Sequence, residues 1–164
     1  MKLRSTLATL FLLPALLVGC SDDPSGPVDE IYTMQSVQIG GQARAVPAEI
    51  FTDSVNYGGG VGTLNSRYSV RAGTLVLRVD GRYSFGADYR LVTTDNPANP
   101  TIDFRQGAFE DGTYTRSATG ITFSPAPGAQ RYLSGTGSLQ NEVLTVTILE
   151  PLFEEFSNVY TFGR

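Results

Sequence analysis

Residues 74–92 read TLVLRVDGRYSFGADYRLV, and they settle the class of fold. From Arg82 onward the side chains alternate. Tyr83, Phe85, Ala87, Tyr89 and Leu91 share one side; Arg82, Ser84, Gly86, Asp88 and Arg90 share the other. A two-residue repeat belongs to extended chain, so the apolar row is a buried face and the polar row a solvated one. Upstream, Leu75, Leu77 and Val79 make a second apolar row over Thr74–Val79. Asp80-Gly81 lies between the rows and predicts a type I′ hairpin turn, whose two central residues both take positive φ.

The same pattern recurs along the chain. Gly112–Ser117 and Ile121–Ser124 read as a hairpin turning at Ala118-Thr119-Gly120, and Tyr132–Leu139 with Val143–Leu149 as another across Gln140-Asn141. The first strand is Ile31–Ile39 and the last Asn158–Gly163, with weaker strands at Ala45–Phe51, Arg67–Arg71 and Thr101–Phe109. Asp80–Ser84 (DGRYS) is echoed by Asp111–Thr115 (DGTYT), each read as a turn entering a strand. No segment carries an apolar stripe of helical period. A large antiparallel sheet must close or fold over, because open edges recruit other chains. The expected fold is therefore all-β: an antiparallel meander closed into an up-and-down barrel of about eight or nine strands. Val159, Tyr160 and Phe162 are expected to pair the last strand with Ile31–Ile39 and close it. A two-sheet β-sandwich is the alternative. Tyr83, Phe85, Tyr89 and Leu91, with Leu75, Leu77 and Val79 across the hairpin, should face the interior.

The N-terminus is of a different kind. Lys2 and Arg4 precede an apolar run from Leu7 to Val18, broken only by Thr9 and Pro14. Twelve residues are too few to span a bilayer, which takes about 20. The segment reads as a signal peptide. Leu17-Val18-Gly19-Cys20 resembles the lipobox of bacterial lipoprotein precursors, and Cys20 is the only cysteine. The resemblance implies cleavage between Gly19 and Cys20, lipid (diacylglycerol and an acyl chain such as palmitate) on Cys20, and a membrane as partner. Ser21, at the position where aspartate marks inner-membrane retention in such proteins, then favours the outer membrane. Residues 1–19 are the expected signal peptide, 20–29 a lipidated N-terminus and polar tether, and 30–164 the barrel domain.

Composition excludes much chemistry. The chain carries a net charge of −4, and removing Lys2 and Arg4 with the signal makes it −6, with no basic run. Nucleic acid is an unsuitable partner for such a surface. The mature chain holds no His, Lys or Trp. That removes Ser-His-Asp triads, Schiff-base lysines and histidine-ligated metals, and no enzyme activity, metal or cofactor is expected. The adjacent pairs Glu110-Asp111 and Glu154-Glu155 point to opposite sides of an extended chain and read as solvated loop charge. Gly58–Gly62 lacks the Lys-Ser or Lys-Thr of a phosphate loop and reads as a flexible loop. Asp95 and Asn96, in the loop Thr93–Pro100, match no calcium loop.

From Ile31 to Arg164 the pattern resembles the small lipocalin-like lipoproteins of bacteria. The residues that carry it are Tyr32–Gln38 with Gly40-Gly41, Gly73–Phe85, Gly112–Phe123, Gly135–Val146 and Val159–Arg164. This resemblance implies a barrel fold and assigns no functional residue. Two functions follow as expectations for an envelope protein. One is binding of a small apolar ligand in a pocket lined by Tyr83, Phe85, Tyr89, Leu91, Leu75 and Leu77. The other is a structural or protein-interaction role, an adaptor or inhibitor with an envelope protein partner and a closed barrel core.

Overall fold

The structure, a computed structural model, describes residues 28–56, 63–94 and 102–164. The signal peptide, Cys20, the tether as far as Pro27, Gly58–Gly62 and Asp95-Asn96 lie outside the described residues. Ten strands form one antiparallel sheet: β1 (Glu30–Ile39), β2 (Gln42–Ala45), β3 (Ala48–Asn56), β4 (Thr63–Leu77), β5 (Arg82–Thr94), β6 (Ile102–Arg116), β7 (Gly120–Pro125), β8 (Leu133–Gln140), β9 (Val143–Glu150) and β10 (Phe153–Gly163). From β4 to β10 each strand pairs with the next in sequence, as in a meander.

Closure falls on β1. One of its edges pairs with β10, Val37 opposite Tyr160 and Met34 opposite Phe162, as the sequence led us to expect. Its other edge pairs with β4, Glu30 opposite Leu77 and Thr33 opposite Thr74. The result is a closed eight-stranded barrel of β1 and β4–β10. Beyond Thr33 the two closing strands part. There β2 takes the edge of β1 over Ser36–Ile39, and β3 takes the edge of β4 over Thr63–Val70. Gly73 sits at the parting, where a Cβ would stand 3.2 Å from the Met34 sulfur. The missing side chain leaves room for Met34 to turn into the core.

Four local expectations are corrected. Arg67–Arg71 and Thr74–Val79 are one strand, β4, continued through a bulge between Val70 and Ala72. Thr101–Phe109 and Gly112–Ser117 likewise fall on the single strand β6, so Asp111-Gly112 is strand and not turn. The two-residue loop between β8 and β9 is Asn141-Glu142, one residue later than expected, and both residues have positive φ, 50° and 63°. At the β4–β5 turn only Gly81 has positive φ, 81°. Arg78 and Arg82 pair across it, and Gly81 N–H donates to the Arg78 carbonyl at 3.1 Å. This is a type I turn with a glycine bulge, a three-residue loop that carries Val79 outward, so Val79 is 57% exposed and leaves the expected interior row. Asp80 Oδ1 accepts the Arg82 N–H at 3.0 Å, as turn aspartates do.

Gly81→Val is expected to destabilise the barrel by about 1–2 kcal/mol, since a β-branched residue is strained at this φ. The urea midpoint checks it, and an unmoved midpoint would mean that the loop adopts another turn.

The interior is apolar and full. Tyr83, Phe85, Ala87 and Tyr89 of β5 are buried, as are Leu75 and Leu77 of β4, while Leu91 lies half-buried on the same face. Met34, Val37, Phe123, Leu144, Val146, Ile148, Tyr160 and Phe162 complete the core. The outer faces carry the charges, including Arg82, Asp88, Arg90, Asp103 and Arg105. Arg90 and Asp103 pair there at 2.6 Å. A barrel that spans a membrane has the reverse polarity, apolar outside and polar within.

Candidate functional site

The residues expected to line a pocket are packed against one another. Tyr83 meets Phe123 edge-on at 5.0 Å between ring centroids, Phe85 meets Phe162 edge-on at 6.5 Å, and Tyr89 stacks on Tyr68 at 5.5 Å. Leu75 and Leu77 are buried beside them. The lower and middle barrel is thus a filled core, as in small barrels generally.

Two carboxylates interrupt that core, and alternation puts both there. Glu110 follows Ala108 on the inward row of β6, and Glu150 ends the inward row Leu144, Val146, Ile148 of β9. Each is 1% exposed. Reading Glu110-Asp111 as solvated loop charge is therefore corrected for Glu110. Its own two-residue row was the signal available in the sequence, and the acidic neighbour masked it.

The role of Glu110 follows from its bonds. β7 pairs with β6 only as far as Gly112 opposite Pro125, so the upper half of β6 lacks a neighbour on that side. The chain crosses the gap and re-enters the sheet at β8. Glu110 bridges the crossing: one oxygen accepts the backbone N–H groups of Tyr132 and Leu133, the latter at 2.9 Å, and the other accepts the Tyr83 hydroxyl. Both oxygens are used, and the arrangement is a structural clamp.

Glu150 differs. Its Oε1 accepts Asn158 Nδ2 at 2.9 Å and the Tyr160 hydroxyl at 2.7 Å. Its Oε2 and the buried hydroxyls of Tyr68 and Tyr89 make no hydrogen bond of ordinary geometry, but Tyr68 lies within reach of the Glu150 carboxylate and Tyr89 within reach of the Tyr160 hydroxyl. These two tyrosines come from β4 and β5 and stack almost parallel, at 8°. The electrostatics tie the group together. Burial raises the pKa of Glu150, against the pull of Asn158, Tyr160 and Tyr68. Burial first, and then the Glu150 charge, raises both Tyr68 and Tyr89 far above the ordinary tyrosine range. Tyr160 is raised by burial, Tyr89 and Glu150.

The surroundings give access and a rim. A cavity of 310 Å³ lined by Gln130, Arg131, Tyr132, Leu149, Glu150 and Pro151 lies beside the cluster at the end of β9. Phe153 meets Tyr68 edge-on at 5.1 Å and packs against Phe51 at 5.6 Å, closing the top of the cluster. Above it, Phe51 and Val55 of β3 and Phe104 of β6 share the inward rows of their strands yet stay 39–46% exposed. Among the described residues, no group of three or more acidic or cysteine side chains could hold a metal ion.

Glu150 has a direct consequence for pH dependence. Its pKa is raised in the folded state, so its contribution to stability is full below the ordinary glutamate value of 4.5 and is lost as pH rises through the folded value. Glu150→Gln keeps an oxygen for Asn158 and Tyr160 and offers two N–H groups toward Tyr68 and Tyr89. Its thermal midpoint is expected to equal or exceed the wild type's at pH 7.5, with the advantage shrinking or reversing by pH 4.5. Paired melts at the two pH values decide this.

No protein-family model, curated protein or solved structure matches the chain. The geometry therefore carries the functional argument alone.

Proposed function

We propose that this chain is a lipid-anchored protein of the bacterial cell envelope whose closed barrel binds a small amphipathic molecule at its upper end. The observation that carries the binding role is the rim. Phe51, Val55 and Phe104 continue the interior apolar face past the point where the barrel closes, and they remain partly in water at the edge of the Glu150 cluster. Apolar area of this kind gains roughly 25 cal/mol per Å² when a ligand covers it. The filled core beneath places the ligand at the mouth and not in the barrel's depth.

The anchor rests on the charged start, the apolar run and Leu17-Val18-Gly19-Cys20. The direction of the chain is compatible with such an anchor. β1 begins at the lower end, where Asp29 accepts the Val79 N–H at 3.0 Å, and the rim lies at the other end. Ten tether residues, Cys20–Asp29, reach at most about 35 Å and join the barrel at the end opposite the rim.

The alternative, a protein-interaction lipoprotein, is favoured by Phe109. This side chain is 73% exposed on the outside of the barrel, its ring lying over Gly86 and Gly107 beside Ala72 and Thr74. A large exposed aromatic over a patch of small residues, Ala72, Gly86 and Gly107, suits a protein contact.

Two measurements test the proposal. Labelled palmitate should enter the wild type and not Cys20→Ala, which should leave the membrane fraction; label in the variant refutes the anchor. A fluorescent fatty-acid analogue should bind the wild type saturably and Phe104→Asp at least tenfold more weakly. Absence of saturable binding by that analogue would leave the Phe109 reading.

A further inference from the structure

We propose that the free upper edge of β6 takes up an extended acidic peptide of a partner protein as an added strand of the barrel wall. The site is separate from the ligand-binding mouth. It deepens the protein-contact reading of Phe109 and rests on that reading.

An open sheet edge presents unpaired backbone donors and acceptors, and proteins guard such edges by brevity, bulges, proline or charge. Among the described residues, β2, β3 and the upper half of β6 each present one. β2 is four residues long. β3 begins just after Pro47 and carries a bulge between Glu49 and Phe51. β6 has none of these devices, and its register along β5 is unbroken from Thr113 to Ile102. On its other side the Asp111 carbonyl accepts the Ala126 N–H at 2.8 Å, and above that point no strand pairs with it. Backbone groups alternate in direction along an antiparallel strand. Those of Asp103, Arg105, Gly107 and Phe109 therefore point the same way as those of Asp111, into the opening. Ile102–Phe109 offers about 27 Å of such edge.

The side chains select the occupant. Ile102 and Phe104 on the inner face and Phe109 on the outer face are all exposed, so apolar groups flank the edge on both sides. Asp103 is neutralised by Arg90, whose two N–H donors reach it at 2.7 and 2.6 Å. Arg105 acts on that carboxylate only through space and forms no ion pair among the described residues. Opposite charges on facing strands are favourable, so the complement carries an acidic residue outward against Arg105 and apolar residues inward beside Phe104. Adding a strand is a common way to bind a peptide, with affinity from the main chain and specificity from alternate side chains. A second copy of β6 fits poorly, because antiparallel pairing would point the two tethers in opposite directions.

The test uses the full-length chain in detergent micelles and the fluorescein-labelled peptide VTVEVTV, read by fluorescence anisotropy. Its valines supply the inward row, and its threonines and glutamate the outward row. Saturable binding is expected. In an antiparallel strand the outward residues aim their N–H groups at β6. N-methylation of those three should therefore weaken binding at least tenfold, and N-methylation of the first three valines less than threefold. VTVKVTV should bind the wild type at least tenfold more weakly than VTVEVTV, and Arg105→Glu should reverse the preference. Equal loss from the two methylation patterns overturns strand addition; the Phe109 contact then stands if Phe109→Ser weakens the peptide and falls if it does not. A preference for VTVEVTV that survives Arg105→Glu overturns the acidic partner. A light-scattering mass of two copies without peptide, lost in Arg105→Glu, gives the edge to a second copy and overturns the proposal. If no peptide binds, the proposal falls, and the fatty-acid titration alone decides the function.

Discussion

Glu110→Ala should lower the stability of the barrel by about 4 kcal/mol or more. The carboxylate satisfies three buried donors at once: two backbone N–H groups at the start of β8 and the Tyr83 hydroxyl. Each buried donor left without a partner costs roughly 1–3 kcal/mol, and Glu110 is 1% exposed, so its donors lie away from bulk water. Domains of this size are stable by only about 5–15 kcal/mol, so one substitution consumes a large share. Glu110→Gln keeps its oxygen for the two backbone N–H groups and turns its amide to the Tyr83 hydroxyl, which can accept, but it loses the charge that strengthens these bonds and should cost about 1 kcal/mol. The contrast with Glu150→Gln is the decisive part. The two glutamates are equally buried, yet one should be sensitive to the amide and the other indifferent or improved at neutral pH. Urea denaturation of the three variants at pH 7.5 measures this. A loss under about 1 kcal/mol for Glu110→Ala would show that the β7–β8 crossing is held by other contacts.

Gly112→Ala should cost about 3 kcal/mol. Its Cβ would fall on the carbonyl oxygen of Ser124, 2.8 Å from Tyr83 Cε1 and 2.9 Å from the Pro125 Cα. Two of those three atoms are backbone of β7, which cannot turn aside as a side chain can. Overpacking of this sort typically costs about 1–3 kcal/mol. Here moving Tyr83 would also disturb its bond to Glu110, which puts the estimate at the top of that range. Gly86→Ala is the control. Gly86 also sits in a strand, but an added Cβ would meet only the Phe109 ring at an ordinary 3.5 Å, so its effect should stay within about 0.5 kcal/mol. Equal midpoints for the two variants would show that β6 and β7 separate without cost.

The two Asp-Gly pairs show how far local sequence reaches. DGRYS and DGTYT look alike, and at Asp80-Gly81 the glycine serves a turn through its positive φ. At Asp111-Gly112 the same pair lies inside a 15-residue strand, and the glycine is there because β7 passes too close for a Cβ. Turn chemistry depends on neighbours in sequence; a close approach depends on a strand brought up by the fold. Glu150 marks a similar limit. Its row is plain in Leu144, Val146 and Ile148, but the tyrosines around it come from β4, β5 and β10 and share no spacing with it.

What the sequence determined by itself is the set of inward rows, most of the hairpins and the pairing of the last strand with the first. Those follow from the two-residue repeat and from turn residues, which are local and need no knowledge of the rest of the chain. Only the tertiary structure decided how the barrel closes. A strand has two edges, and whether β1 gives its second edge to β2 or to β4 depends on twist and on the room that Gly73 leaves for Met34. The same closure ends the opposite wall early, leaves Phe51 and Phe104 at an open rim, and gathers Tyr68, Tyr89 and Glu150 beneath it. Contacts between distant strands depend on curvature, which no single strand carries in its own pattern of residues.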